Sequence, residues 1–402
     1  MSYLNKKIDL SYLFLLFTTV FLVSFKILRM VAIPGLSSVW NLHLLICASF
    51  LAFGIFSLKR LYIGVFDKMI LLFLSVALLS FLINRPIELK TVVVFILPLS
   101  SYYLFRLNNI EHSKLLSFLN IASIALLVLF IVDFLSANKL GLNLINYGAF
   151  ISASEDSGRI VSKMMDYKYN PFLKEKFIRP VGVTLSPQSS SVIYASFSVM
   201  YLEVFRTLGK LRYLILSALF FSTIILFNAG TAYLTFFVLF LLFLRKARLI
   251  VIAVLTLPVL VYFFSIFLYG QSAAISNLEY LIDGIYNQLV QPIVDNNPEF
   301  IRQIIFGRGV GEGKVENFFF EFDYVNLLFR VGVINYILLI VILAFTLRYL
   351  WKHKEISYLK YIIIGIIVGS IHYESIFKYP SSWILFAIIG ISSNSYLKEK
   401  YE

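Results

Sequence analysis

The chain has 402 residues, 60% of them hydrophobic and 14% charged, with a formal net charge of +13 and a mean hydropathy of +0.86. A soluble domain carries about 25% charged and 45–50% apolar residues, so one water-soluble core cannot hide this much apolar surface. The composition excludes a soluble enzyme and a nucleic-acid-binding module: it requires an all-α polytopic integral membrane protein, whose basic excess belongs in cytoplasmic loops.

About twelve spans of ~20 residues fit the apolar share. Lys6 and Lys7 precede an apolar run with no small-residue cleavage site, so the first span, Leu10–Leu28, is read as retained. Pro34 and Gly35 turn the chain into a second span, Val39–Leu58, which holds the single cysteine, Cys47, and so gives no disulfide framework. Spans three to five are Met69–Ile83, Thr91–Phe105 and Leu115–Leu135, with Asn84-Arg85-Pro86 breaking the first pair. A polar loop, 136–186, leads to span six, Ser189–Phe205. Spans seven and eight form a hairpin around Asn228-Ala229-Gly230-Thr231, and span nine is Leu249–Leu268. The long polar loop 270–322 follows, then spans ten (Tyr324–Leu347), eleven (Tyr358–Ile371) and twelve (Trp383–Tyr396). Residues 1–402 form one transmembrane domain without an internal repeat.

With the N-terminus inside and the spans alternating, every short inside segment is basic: Lys59/Arg60/Lys68, Arg106/Lys114, Arg206/Lys210/Arg212, Arg245/Lys246/Arg248, Arg348/Lys352/Lys354 and Lys398/Lys400. Basic residues resist translocation, whereas long loops cross largely regardless of charge. Both termini are therefore expected in the cytoplasm, and both long loops on the periplasmic or extracellular face.

The loops carry the residues capable of chemistry, because lipid tolerates few polar groups. Arg179, in Arg179-Pro180-Val181-Gly182, stands at the mouth of span six. A guanidinium there grips a phosphate through two parallel bonds, or else snorkels to lipid headgroups. Gly307-Arg308-Gly309-Val310-Gly311 closes the long loop as an anion-binding backbone or a flexible turn, and it lacks the Lys-Ser/Thr ending of a nucleotide loop. Asp323 and Arg330 are seven residues apart, on one face of span ten, with Arg330 about 10 Å deeper. They serve a polar cavity or pair internally. His372 is the better of two candidates for a histidine base on the outer face, the other being His43. Glu321 precedes Asp323 with the spacing of an acid pair, but no further cluster accompanies it to hold a metal. Asp133, near the outer end of span five, is a further candidate to line the same cavity.

This layout resembles the membrane-embedded polysaccharide polymerases and ligases of bacterial surface glycans: about twelve spans, both termini inside, and a large outer loop before span ten. The shared motifs are Arg179-x-x-Gly182 followed by Pro187, the turn Gly307-Arg308-Gly309, and a polar residue, Asp323, opening a span segment that ends at Gly332. Arg302 and Gly313 fit an Arg-x(10)-Gly pattern of the polymerases. The ligases usually carry a His-Asn pair where Asp323 stands, and Ser-Arg in the hairpin that here reads Asn228-Ala229-Gly230-Thr231. Both departures favour an O-antigen polymerase (Wzy-type) or its capsule counterpart over a ligase.

The resemblance implies a glycosyltransferase of the bacterial inner membrane that joins undecaprenyl-diphosphate-linked oligosaccharide repeat units at the outer face. Arg179, Arg302, Arg308 and Arg330 would hold the diphosphate and glycan. Gly182, Gly307 and Gly309 would bring backbone close to them, and Asp323, Glu321 or His372 would be the base. No metal or cofactor is implied. The partners implied are the lipid-linked substrate, membrane lipid and a separate chain-length regulator, with no nucleic acid. A ligase, or a flippase for the same lipid, is the alternative; flippases usually have short loops on both faces, and transporters often show two related halves.

Overall fold

The computed structural model describes residues 63–83, 99–107, 112–140, 167–170, 172–184, 186–244, 290–295, 298–307, 323–370 and 380–401, with a few single positions besides. Spans one, two and nine of the sequence reading lie outside these residues. Within them the chain is mostly helical. The helices are α1 (Val65–Ile83), α2 (His112–Ala137), α3 (Pro187–Leu208), α4 (Leu211–Phe227), α5 (Gly230–Phe243), α6 (Pro298–Phe306), α7 (Asp323–Lys352), α8 (Lys360–Gly369) and α9 (Ser381–Tyr401), with residues 99–107 also helical. Two segments, Lys114–Ala137 and Val331–Lys352, are long and apolar enough to cross a membrane.

Local chemistry explains the boundaries. Pro187 opens α3, where its missing N–H costs nothing. Gly209 ends α3 in the left-handed region, and its N–H donates to the Phe205 carbonyl at 2.7 Å. Asn228 ends α4 in the same conformation, φ 47°, and the chain reverses into α5 after Ala229.

The all-α expectation needs one amendment. The loop after α2 contains an antiparallel hairpin, β1 (Tyr167–Asn170) and β2 (Glu175–Ile178), with Tyr167 opposite Ile178 and Asn170 opposite Glu175. Asn170 makes the turn: its side-chain oxygen accepts the N–H groups of Phe172 (2.9 Å) and Leu173 (3.1 Å).

Helix α3 packs antiparallel to α2, α4 and α8 and parallel to α5. Along α2 and α3, Tyr194 donates to the Leu126 carbonyl (2.8 Å) and Tyr201 to the Leu119 carbonyl (3.3 Å). Between α3 and α4, Ser198 and Ser217 donate to each other's backbone carbonyls at 3.0 and 2.8 Å. On α8, Gly365 and Gly369 face Ser196 and Val192 of α3; a Cβ on Gly369 would lie 2.6 Å from Val192. Small residues four apart let two helix backbones approach closely.

This packing gives the bundle two polar ends. At one, Asp67 accepts hydrogen bonds from Tyr102 (2.7 Å), Gly64 N–H (2.8 Å) and Arg106 (3.2 Å), and Tyr102 also meets Ser393 of α9 at 3.1 Å. Glu203 pairs there with Arg206 and accepts from Tyr361, while Arg206 donates to the Phe243 carbonyl. The other end holds the end of α2, the hairpin, the start of α3 and the α4–α5 turn.

Candidate functional site

Asn138, just past α2, fastens the hairpin to the bundle. Its amide donates to the Ile178 carbonyl (2.9 Å) and its oxygen accepts the Ile178 N–H (2.8 Å). Asn170 donates to the Ile225 carbonyl at 2.7 Å, tying the same hairpin to α4. Arg179 follows Ile178 directly, so its backbone is anchored from two helices.

The chain then turns through Val181, Gly182 and Val183 into α3. Gly182 has φ +68°, and its N–H donates to Asp133 Oδ2 at 2.6 Å. A Cβ there would press on the Ser190 side chain and lie 3.0 Å from Phe227. Ser190 stitches the turn from the other side: it donates to the Val181 carbonyl and accepts the Thr184 N–H, both at 3.0 Å. Asp133 itself is fully buried. A carboxylate in that setting needs donors, and a main-chain N–H is one of the stronger ones.

Arg179 points inward rather than out to headgroups: the residue is only 8% exposed. Its Nη1 reaches the Asn228 carbonyl at 3.5 Å, beyond the ordinary 2.7–3.2 Å of such bonds. Its Nε is buried without a hydrogen-bond partner among the described residues, and the guanidinium makes no ion pair among them. Thr231, three residues past Asn228, likewise buries a hydroxyl without a partner among the described residues. A buried guanidinium cannot shed its charge and is costly unless an anion faces it. The described residues thus leave a buried cation with one long contact to a carbonyl at this end of the bundle.

A second feature concerns the long loop. Gly332 interrupts α7 with φ 76° and ψ 162°, so Asp323–Val331 and the following Gly332–Lys352 are two helical pieces rather than one continuous span. Asp323 and Arg330 both lie on the first piece, so their seven-residue helical spacing is kept, while span ten itself is broken two residues beyond Arg330. A Cβ on Gly332 would lie 2.6 Å from the Ile305 carbonyl oxygen and 2.7 Å from the Gly307 nitrogen. The end of α6 rests on the break, and Gly307 (φ 75°) turns the chain there. The glycine positions read as motifs 25 residues apart thus share one backbone contact.

Of the sequence candidates, Arg179 and Gly182 lie in the turn before α3, Arg302 is exposed on α6, and Gly307 lies just past the end of α6. The backbones of Asp323 and Arg330 are helical, but their side chains lie outside the described residues, as do Arg308, Gly309, Glu321 and His372. Asp133 proves central, where the sequence offered only its place at a span end. Asn335, one turn past the break, was not foreseen. It is fully buried, and both its amide atoms lack partners among the described residues. A lone amide in the apolar run Val331–Lys352 was the available signal.

An apolar cleft is lined by Leu119, Leu126, Phe197, Trp383, Ala387 and Ile391, with no ionisable side chain among the described residues that line it. Among the described residues no three His, Cys, Asp or Glu side chains are grouped to hold a metal. Comparison with protein-family models, with curated proteins and with solved structures finds no match.

Proposed function

We propose that the chain is a polymerase of a bacterial surface polysaccharide, acting on undecaprenyl-diphosphate-linked repeat units at the outer face of the cytoplasmic membrane. In this reading the bundle has about twelve spans with both termini inside. The polar end holding Arg179 and Asp133 faces outward, and the end holding Arg106, Arg206 and Lys360 faces the cytoplasm.

The observation that carries the reading is the buried Arg179 guanidinium, anchored by its backbone yet without an anionic partner among the described residues. A lipid diphosphate supplies that anion, and its prenyl tail confines it to the depth where the bundle's polar end meets lipid. The acceptor sugar hydroxyl attacks the anomeric carbon of the donor chain. The bond from that carbon to the diphosphate oxygen breaks, and the hydroxyl proton passes to a base. Arg179 stabilises the charge that grows on the departing diphosphate, assisted by Arg302, Arg308 and Arg330. Asp323, Glu321 and His372 are the candidates for the base.

The test is gel analysis of surface glycan from a deletion strain complemented with Arg179→Ala, Arg308→Ala or Asp323→Ala. Each variant is expected at normal abundance with chain extension abolished and single repeats still capped. Wild-type chain lengths in all three overturn the proposal. Loss of all capped glycan in the deletion strain, with polymer left on the lipid, would instead indicate a ligase; repeat units held on the inner leaflet would indicate a flippase.

A further inference from the structure

Helix α7 presents one continuous outer stripe. Past the Gly332 break it carries Ile334, Ile337 and Val341, each between 45% and 54% exposed. Two and three turns further on the stripe becomes Arg348, Trp351 and Lys352, all exposed, with Trp351 at 50%. These three line a shallow open groove with Ala344 and Leu347. The segment Val331–Lys352 is about 33 Å long at 1.5 Å per residue, close to the hydrocarbon thickness of a bilayer.

Arg348 and Lys352 are four residues apart on a helix, so their side chains are neighbours, about 6 Å apart at the Cβ atoms. Like charges so placed repel, and neither residue has an ion-pair partner among the described residues. Trp351 beside them is the side chain that favours the boundary between hydrocarbon and headgroups. Past the apolar stripe the two cations flank the indole, Arg348 one turn before Trp351 and Lys352 beside it, so acyl chains and a headgroup phosphate would each meet matching side chains on one face.

We propose that this face of α7 is a binding site for an anionic phospholipid of the cytoplasmic leaflet. The headgroup phosphate lies between Arg348 and Lys352, and the acyl chains lie along Val341, Ile337 and Ile334. The inference rests on the membrane reading alone and is independent of polymerase activity.

The test uses the full-length chain purified in detergent, exposed to phosphatidylglycerol or phosphatidylcholine and weighed intact by native mass spectrometry. Wild-type protein is expected to retain phosphatidylglycerol in preference to phosphatidylcholine. Each removed cation is expected to weaken that retention about fivefold, the worth of one basic residue at an anionic surface. Lys352→Gln alone therefore shows a partial loss, and Arg348→Gln with Lys352→Gln nearly all of it. Lys352→Gln keeps the comparison valid where the double variant does not fold. Equal retention of the two lipids, or undiminished phosphatidylglycerol on Lys352→Gln and on a folded double variant, overturns the proposal. Displacement of the lipid by inorganic phosphate also overturns it, since the groove would then hold a free anion.

Discussion

The main-chain N–H of Gly182 donates to the carboxylate of Asp133 across 2.6 Å, although 49 residues separate them in the chain. This bond holds the turn that follows Arg179 against the end of α2, and Gly182 can make it because its φ of +68° is open to glycine. Asp133→Ala leaves that N–H without its acceptor in a buried site, at a cost of about 2 kcal/mol. A lower melting temperature in detergent and shortened glycan chains are expected. An unchanged melting temperature would remove Asp133 from the framework of the site.

Gly182→Ala tests the turn from the other side. The left-handed conformation costs an alanine roughly 1–2 kcal/mol, before its methyl presses on Ser190. The variant is therefore expected to melt below wild type in a measurement on purified protein, and an unchanged melting temperature would show that the turn tolerates a side chain at Gly182.

Arg179→Lys keeps the charge and loses the planar fork. A lysine offers a point charge where the proposed diphosphate would take two parallel bonds. Chain extension is expected to fall nearly as far with lysine as with alanine, read as modal glycan length at matched expression. Full function with lysine would mean that charge alone suffices at this position.

The contact between Gly332 and the end of α6 predicts how the long loop is held. Gly332→Ala places a methyl within 2.6 Å of the Ile305 carbonyl oxygen and the Phe306 carbonyl carbon, at a φ of 76° that alanine resists. The α6 segment must lift. Limited proteolysis of membranes is expected to cut the 298–307 region several times faster in the variant, and equal cutting rates would show that the break tolerates a side chain.

Orientation is open to direct measurement. In a Cys47→Ala background, Leu173→Cys sits on the exposed hairpin turn and Lys354→Cys just past α7 at the opposite end of the bundle. A membrane-impermeant maleimide applied to intact spheroplasts is expected to label the first at once, and the second only after permeabilisation. Reversed labelling would put Arg179 in the cytoplasm, where the proposed substrate's outer-leaflet diphosphate is out of reach.

Much of the helical layout was legible in the sequence, because hydropathy is local. The hairpin around Asn228-Ala229 is where the sequence reading put it, and the apolar runs became α1 to α5 and α7 to α9 with ends shifted by a few residues. The hairpin β1–β2 escaped notice: four-residue strands in a polar loop have no apolar alternation, although Asn170-Pro171 was a turn signal. Gly365 and Gly369 were likewise visible as a small-residue pair, but not the helix they would meet.

By itself the sequence determined that this chain is built of apolar helices with polar loops between them, since twenty consecutive apolar residues state their own solvent preference. Only the tertiary structure decided that Arg179 turns inward towards Asn228, that Asp133 receives Gly182, that Asp67 meets Arg106, and that Gly307 rests on a break at Gly332. The physical reason lies in the helices themselves: apolar residues surround them on every side, so hydrophobic periodicity does not mark the face turned to a neighbour. The partners are then chosen by a few polar groups and by glycines whose lack of a side chain admits another backbone.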